Sequence, residues 1–216
     1  DKTKYIEDLE KTAAFLFLIR PRRFGKSLFL NMLNCYYDVK YADRFEELFG
    51  NQYIGKHPTA EQGKYLVLRF NFSMVRATDD KLEAAFNRHI SLETAYFASV
   101  YASYFKPDFQ EQLKLIPEAA GRLEYICLCA KEQGLSIYLL IDEYDNFTNT
   151  ILSSKGNDVY HSLTHDSGFY RSFFNVVKGV TTGAEAPVKR MFITGVSPVT
   201  LDDVTSGFNI GTNITT

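Results

Sequence analysis

The stretch from Arg20 to Ser27, R-P-R-R-F-G-K-S, constrains this chain more than any other. It follows the apolar run Ala13 to Ile19 and opens a helix-like run from Leu28 to Tyr37. Phe15 to Ile19 are all apolar, as suits a central parallel strand buried on both faces. A strand, a tight turn and a helix make the frame of a phosphate-binding P-loop. In that frame the backbone N–H groups of the turn and the positive end of the helix form an anion site. Lys26 would reach the β- and γ-phosphates, and the Ser27 hydroxyl would hold Mg²⁺. This reading assigns Arg23, Phe24, Gly25, Lys26, Ser27 and Leu28 to the phosphates of ATP or a related nucleoside triphosphate. One position departs from the usual G-x-x-x-x-G-K-S/T pattern, because Arg20 stands where a glycine opens the turn. Arginine tolerates positive φ poorly, so the entry turn is expected to take another geometry.

A second motif lies downstream. Ile137 to Ile141 are apolar and run straight into Asp142-Glu143, the form of a Walker B strand. Ligands of parallel α/β sheets bind beyond the carboxyl ends of the strands, which would bring Asp142 near Ser27 and into the Mg²⁺ shell. Glu143 would then orient and deprotonate a water as general base. A further apolar strand, Arg190 to Val196, ends in polar residues. In P-loop ATPases with an additional strand between the two motif strands, that strand carries a residue sensing the γ-phosphate; Thr194 is the first candidate and Ser197 the second. Arg20, Arg22 and Arg23 would either supply transition-state charge in cis or pair with Asp145 and other carboxylates to shape the loop.

These strands, with Tyr65 to Phe72, predict a three-layer α/β fold with a mostly parallel sheet of spatial order 1-4-3-2. The 216 residues suit one domain spanning 1–216, cut short at its C-terminus before a fifth strand. Helical spacing marks Asp1 to Lys11, Tyr41 to Phe49, Asp79 to Tyr104 with a break near Ser91, a helix with Pro117 in its first turn, and Asp158 to Lys178 with an interruption at Ser167-Gly168. A polar loop is expected to run on to Gly63, Asn146 to Asn157 reads as a mobile loop, and Leu201 to Val204 as the start of a helix. A net charge of −2 with mixed signs gives no polycationic footprint for nucleic acid or membrane. Apolar runs are too short for a membrane span, and a cytoplasmic protein is expected. Cys35, Cys127 and Cys129 read as free thiols. His161 and His165 stand four apart without a third ligand on their face, so a solvated helix face is the reading and no metal site.

Three stretches together resemble the predicted AAA-ATPase-like family of bacterial proteins: R-P-R-R-F-G-K-S-L, L-I-D-E-Y-D from Leu140 to Asp145, and T-G-V-S-P-V-T-L-D-D-V-T-S-G-F-N-I from Thr194 to Ile210. The opening D-K-T is similar too, and the likeness covers nearly the whole chain. It implies an ATP- and Mg²⁺-dependent ATPase. Members often carry a C-terminal nuclease-like domain, which implies such a domain as a partner and DNA through it; oligomers are also compatible. From another class, the residues also suit a regulatory switch that binds nucleotide and scarcely turns over. A small-molecule kinase fits less well, since no lid or acceptor motif is visible.

Overall fold

Four apolar segments form adjacent parallel strands, and helices cover both faces of the sheet they make. The computed structural model of the chain describes residues 1–75, 81–165, 168–197 and 211–215. In chain order the elements are α1 (Tyr5–Thr12), β1 (Phe15–Ile19), α2 (Lys26–Tyr37), α3 (Phe45–Phe49), α4 (Tyr53–Lys56), β2 (Leu66–Asn71), α5 (Leu82–Val100), α6 (Phe109–Lys114), α7 (Ala119–Glu132), β3 (Ile137–Asp142), α8 (Asn146–Lys155), α9 (Asn157–Thr164), α10 (Phe169–Thr181), β4 (Val188–Gly195) and β5 (Thr212–Asn213). The strands lie in the order β2-β3-β4-β1-β5, parallel at every pairing.

Side-chain alternation divides the core between the two faces. Leu68, Phe70, Leu139, Ile141, Met191 and Ile193 join the apolar cluster that includes α5, α7 and α10. Leu16, Val67, Tyr138, Leu140 and Phe192 join the cluster on the side of α1 and α2. Fully burying such a side chain contributes about 1.5–3 kcal/mol, so the two layers hold the sheet rigidly. This parity fixes the chemistry as well. Arg69, Asn71, Asp142 and Thr194 fall in step with Val67, Leu140 and Phe192, and so emerge on the α2 side at the carboxyl end of the sheet. Register levels them: Asn71 pairs with Asp142, and Leu18 pairs with Thr194.

The structure departs from the sequence reading at several elements. The sheet has a fifth strand where none was expected in this chain, since Thr212–Asn213 pairs with the outer side of β1. Two residues are too few to show a periodicity. Asn146 to Asn157 is not a loop but α8 and the joint to α9, at Gly156 with φ 85° and ψ −179°. Phe147, Thr148 and Ile151 anchor α8, and its polar residues satisfy themselves by back-bonding: Thr150 donates to the Asn146 carbonyl at 2.8 Å and Ser154 to the Thr150 carbonyl at 2.7 Å. Helix α5 runs through Ser91 unbroken. Tyr41 to Phe49 divides into the end of a 3-10 helix and α3, and the polar loop before Gly63 contains α4. Pro117 precedes α7 rather than occupying its first turn.

Leu201 to Val204 lies outside the described residues. Among the described residues no helix is long and apolar enough to cross a membrane, no group of three residues could ligate a metal through His, Cys, Asp and Glu alone, and the three cysteines are free.

Candidate nucleotide and metal site

Beyond Ile19 the chain holds to the sheet for one more residue, as the Arg20 N–H donates to the Gly195 carbonyl at 3.1 Å. The left-handed positions of the turn are not at Arg20 but at Arg23 (φ 71°) and Gly25 (φ 75°). A non-glycine residue held there stores on the order of 1 kcal/mol or more of strain. Alternating the backbone hand in this way points successive N–H groups into one concavity. From Arg22 to Leu28 no backbone N–H has an acceptor in hydrogen-bonding geometry among the described residues, and no side chain caps α2 at Gly25. Unpaired donors at the positive end of a helix attract an anion.

Lys26 is 5% exposed and donates from Nζ to the carbonyls of Arg20 at 2.8 Å and Pro21 at 3.0 Å. It staples the turn closed and keeps one N–H for a ligand. Phe24, Ser27 and Leu28 are exposed at the mouth of the turn. Among the described residues none of Arg20, Arg22 and Arg23 forms an ion pair. Asp145, read from the sequence as a partner for them, is buried and accepts the N–H groups of Val196 at 3.0 Å and Ser197 at 2.6 Å. It clamps the chain leaving β4.

Asp142 stands at the end of β3 and is 1% exposed. Thr194, fully buried on the neighbouring strand, donates its hydroxyl to Asp142 Oδ1 at 2.6 Å and accepts the Glu143 N–H at 3.2 Å. Among the described residues Asp142 Oδ2 has no hydrogen-bond partner; Arg69 Nη2 stands 3.7 Å from it, beyond hydrogen-bond reach. A buried carboxylate oxygen with free lone pairs suits a hard divalent cation, so Asp142 fits the Mg²⁺ role. Glu143 has φ 51°, which turns the chain out of the strand, and its Oε2 accepts the Asn146 side-chain amide at 3.1 Å.

Sequence reasoning missed two participants. Arg69, whose second guanidinium nitrogen donates to Asn31 on α2, is the one charged residue in β2, and a lone charge in an apolar strand was a signal. The clamp by Asp145 left no such signal, because its partners are backbone groups far along the chain.

A groove of about 590 Å³ adjoins the turn, lined by Tyr5, Asp8, Leu18, Phe24, Lys26 and Ile214 among others. A second groove of about 430 Å³, on the Leu28 and Met32 side of α2, is almost wholly apolar and has few polar groups to orient a ligand.

No curated protein and no solved structure matched the sequence. One family does, described as Predicted AAA-ATPase, and it matches over residues 1–205. With backbone N–H groups from Arg22 to Leu28 unpaired among the described residues, a buried carboxylate at the end of β3, and a family match over nearly its whole length, the chain belongs to the AAA-ATPase-like family.

Proposed function

We propose that the chain is a nucleoside triphosphatase of the P-loop kind, binding ATP with Mg²⁺ and hydrolysing it in the cytoplasm to drive a change of shape. The observation that carries this reading is the arc of unpaired backbone N–H groups from Arg22 to Leu28, running into the uncapped start of α2. A polyphosphate is the ligand such an arc suits. Arg23, Phe24, Gly25, Lys26, Ser27 and Leu28 supply the arc, and the adjoining groove takes the nucleoside.

The Ser27 hydroxyl and Asp142 would hold Mg²⁺, which when bound would neutralise charge on the β- and γ-phosphate oxygens. Thr194 acts through Asp142: its single hydroxyl proton fixes Oδ1 and leaves Oδ2 for the metal. It is a positioning residue in this reading, and Ser197 remains the candidate for meeting the γ-phosphate. Glu143 takes the proton of the attacking water. Arg20, Arg22 and Arg23, which form no ion pair among the described residues, would supply charge to the transition state in cis.

Removing the Lys26 ammonium should cost about 3 kcal/mol, roughly a hundredfold in Kd, as loss of a charge-assisted contact does. Calorimetry of Mg·ATP with wild type and Lys26→Ala reads this directly, and an unchanged Kd would sink the assignment. Glu143→Gln should keep nearly full ATP affinity and lose phosphate release, since the base acts only on the water.

A nucleotide switch that scarcely turns over is the second reading, and the Glu143–Asn146 bond favours it by holding the base carboxylate in place. It takes over if wild type and Glu143→Gln bind ATP and release phosphate equally slowly, alone and with DNA. In that case the shape change would gate an attached nuclease-like domain.

A further inference from the structure

Arg69 occupies a position that the triphosphatase reading does not use. Its guanidinium approaches Asp142 Oδ2, which no hydrogen bond satisfies among the described residues, Nη2 lying 3.7 Å away, while its other arm holds Asn31 of α2. The two partners differ in freedom. The Asp142 side chain is 1% exposed and fixed by Thr194, whereas the Arg69 side chain is 30% exposed. A buried carboxylate with no counter-charge is strongly unfavourable, so a cation facing Oδ2 stabilises it. Without a metal, Arg69 is that cation.

A guanidinium and a divalent ion cannot both hold the same face of one carboxylate oxygen. At 3.7 Å the contact is a charge pair without a hydrogen bond, weak enough for Mg²⁺ to replace. The displaced side chain has somewhere to go. Arg69 also lines a pocket of about 220 Å³ between α2, β2 and α5, together with Glu93, Lys40 and Tyr96. Glu93 is half buried on α5; burial pushes its carboxyl up from its ordinary value, and the charge of Arg69 draws it back down. The guanidinium therefore stands between two carboxylates, one on the sheet and one on a helix of the opposite layer.

We propose that Arg69 is a resident counter-cation of Asp142 that competes with the metal, and that metal binding transfers it from Asp142 to Glu93 on α5. This rests on the reading of Asp142 as the Mg²⁺ carboxylate. The consequence is a mechanical one: whether metal is bound decides whether the Arg69 side chain ties β2 to Asp142 or to α5. Release of Arg69 from Asp142 also loosens its hold on Asn31, so α2, the helix that starts at Lys26, is a member of the same relay.

The test uses Arg69→Met, which keeps the length and removes the charge, in the full chain. With Mn²⁺ as the probe metal and a non-hydrolysable ATP analogue, paramagnetic resonance should show the metal binding about fivefold to tenfold more tightly in the variant, because its competitor is gone. In EDTA without nucleotide the variant should melt lower than wild type, and Arg69→Met/Asp142→Asn should recover most of that loss, since the buried charge has been removed with its partner. Amide exchange in α5 should slow on adding Mn²⁺ and analogue to wild type and should not respond in Arg69→Met or Glu93→Gln. Unchanged or weaker Mn²⁺ binding in Arg69→Met would overturn the competition, and a metal response of α5 that survives Glu93→Gln would overturn the transfer. If wild type itself binds no analogue with metal, the nucleotide reading fails first and the relay falls with it. Binding in wild type with no gain in the variant leaves that reading standing and removes the relay alone.

Discussion

Thr194 uses its hydroxyl in both directions, as donor to Asp142 Oδ1 at 2.6 Å and acceptor from the Glu143 N–H at 3.2 Å. The two partners are the last residue of β3 and the first of the turn that follows it, so one oxygen sets the direction of the carboxylate and of the chain after it. Thr194→Val keeps the shape of the side chain and leaves a buried acceptor and a half-buried donor without partners. The expected cost is about 2–4 kcal/mol of stability, by the desolvation penalty of each orphaned group. Thr194→Ser retains the hydroxyl and should stay within about 1 kcal/mol of wild type. Urea unfolding of the pair decides the matter: equal losses in Val and Ser would mean that methyl packing, not the hydroxyl, is what the site needs. Asp145 repeats the arrangement one turn later, receiving two backbone N–H groups from the chain beyond β4 and the side-chain amide of Asn149 at 3.1 Å. Two buried carboxylates three residues apart thus tie the end of β3 to the end of β4. Neither tie depends on a nucleotide.

At the scale of elements, the joint between α8 and α9 offers a prediction in backbone terms alone. Gly156 has φ 85° and ψ −179°, a region closed to residues with a Cβ, yet an added Cβ there would meet nothing within 4 Å. Gly156→Ala should therefore destabilise by about 1–3 kcal/mol through strain with no clash. Gly179, inside α10, also has open space around an added Cβ and has regular helical backbone. Gly179→Ala should stabilise by about 0.5–1 kcal/mol. Thermal unfolding of the two variants should shift in opposite directions, and shifts of one sign would contradict the backbone argument. The same elements explain what the sequence could show. β1, β3 and β4 are legible because burial on both faces demands unbroken apolar runs, and the Arg20 to Ser27 turn because its residues are contiguous. Helix α8 is not legible, since only Phe147, Thr148 and Ile151 are buried and most of the rest are Asn, Ser and Thr, which propensity assigns to turns. The Arg69–Asp142 approach is invisible for another reason: it depends on β2 and β3 being adjacent and in a register that the local pattern does not encode.

Across the whole molecule, the order of the sheet decides how well the phosphate turn is held. β1 leads directly into the turn and would be an edge strand if the sheet stopped at it. β5 covers that edge. Thr212 and Asn213 pair with Leu16 and Phe17, the Ile214 N–H donates to the Phe17 carbonyl at 2.9 Å, and the Ile19 N–H donates to the Thr215 hydroxyl at 3.0 Å. The last of these is one residue from Arg20, where the turn begins. Close approach is made possible by Gly211, where an added Cβ would lie 1.8 Å from Cε2 of the buried Phe17 ring. A chain ending at residue 210 should lose about 2–3 kcal/mol from the hydrogen bonds and the apolar contact of Ile214. It should also expose the hydrophobic edge of β1, which is a template for strand pairing between molecules. Gly211→Val should push β5 away and act in the same direction without shortening the chain. Denaturant unfolding would report the stability loss, light scattering the association, and Mg·ATP calorimetry the weaker hold on the turn. Wild-type midpoints in both variants would place β5 outside the cooperative unit. A stability loss with unaltered ATP affinity would mean that Lys26, through its bonds to the Arg20 and Pro21 carbonyls, shapes the turn without help from the edge.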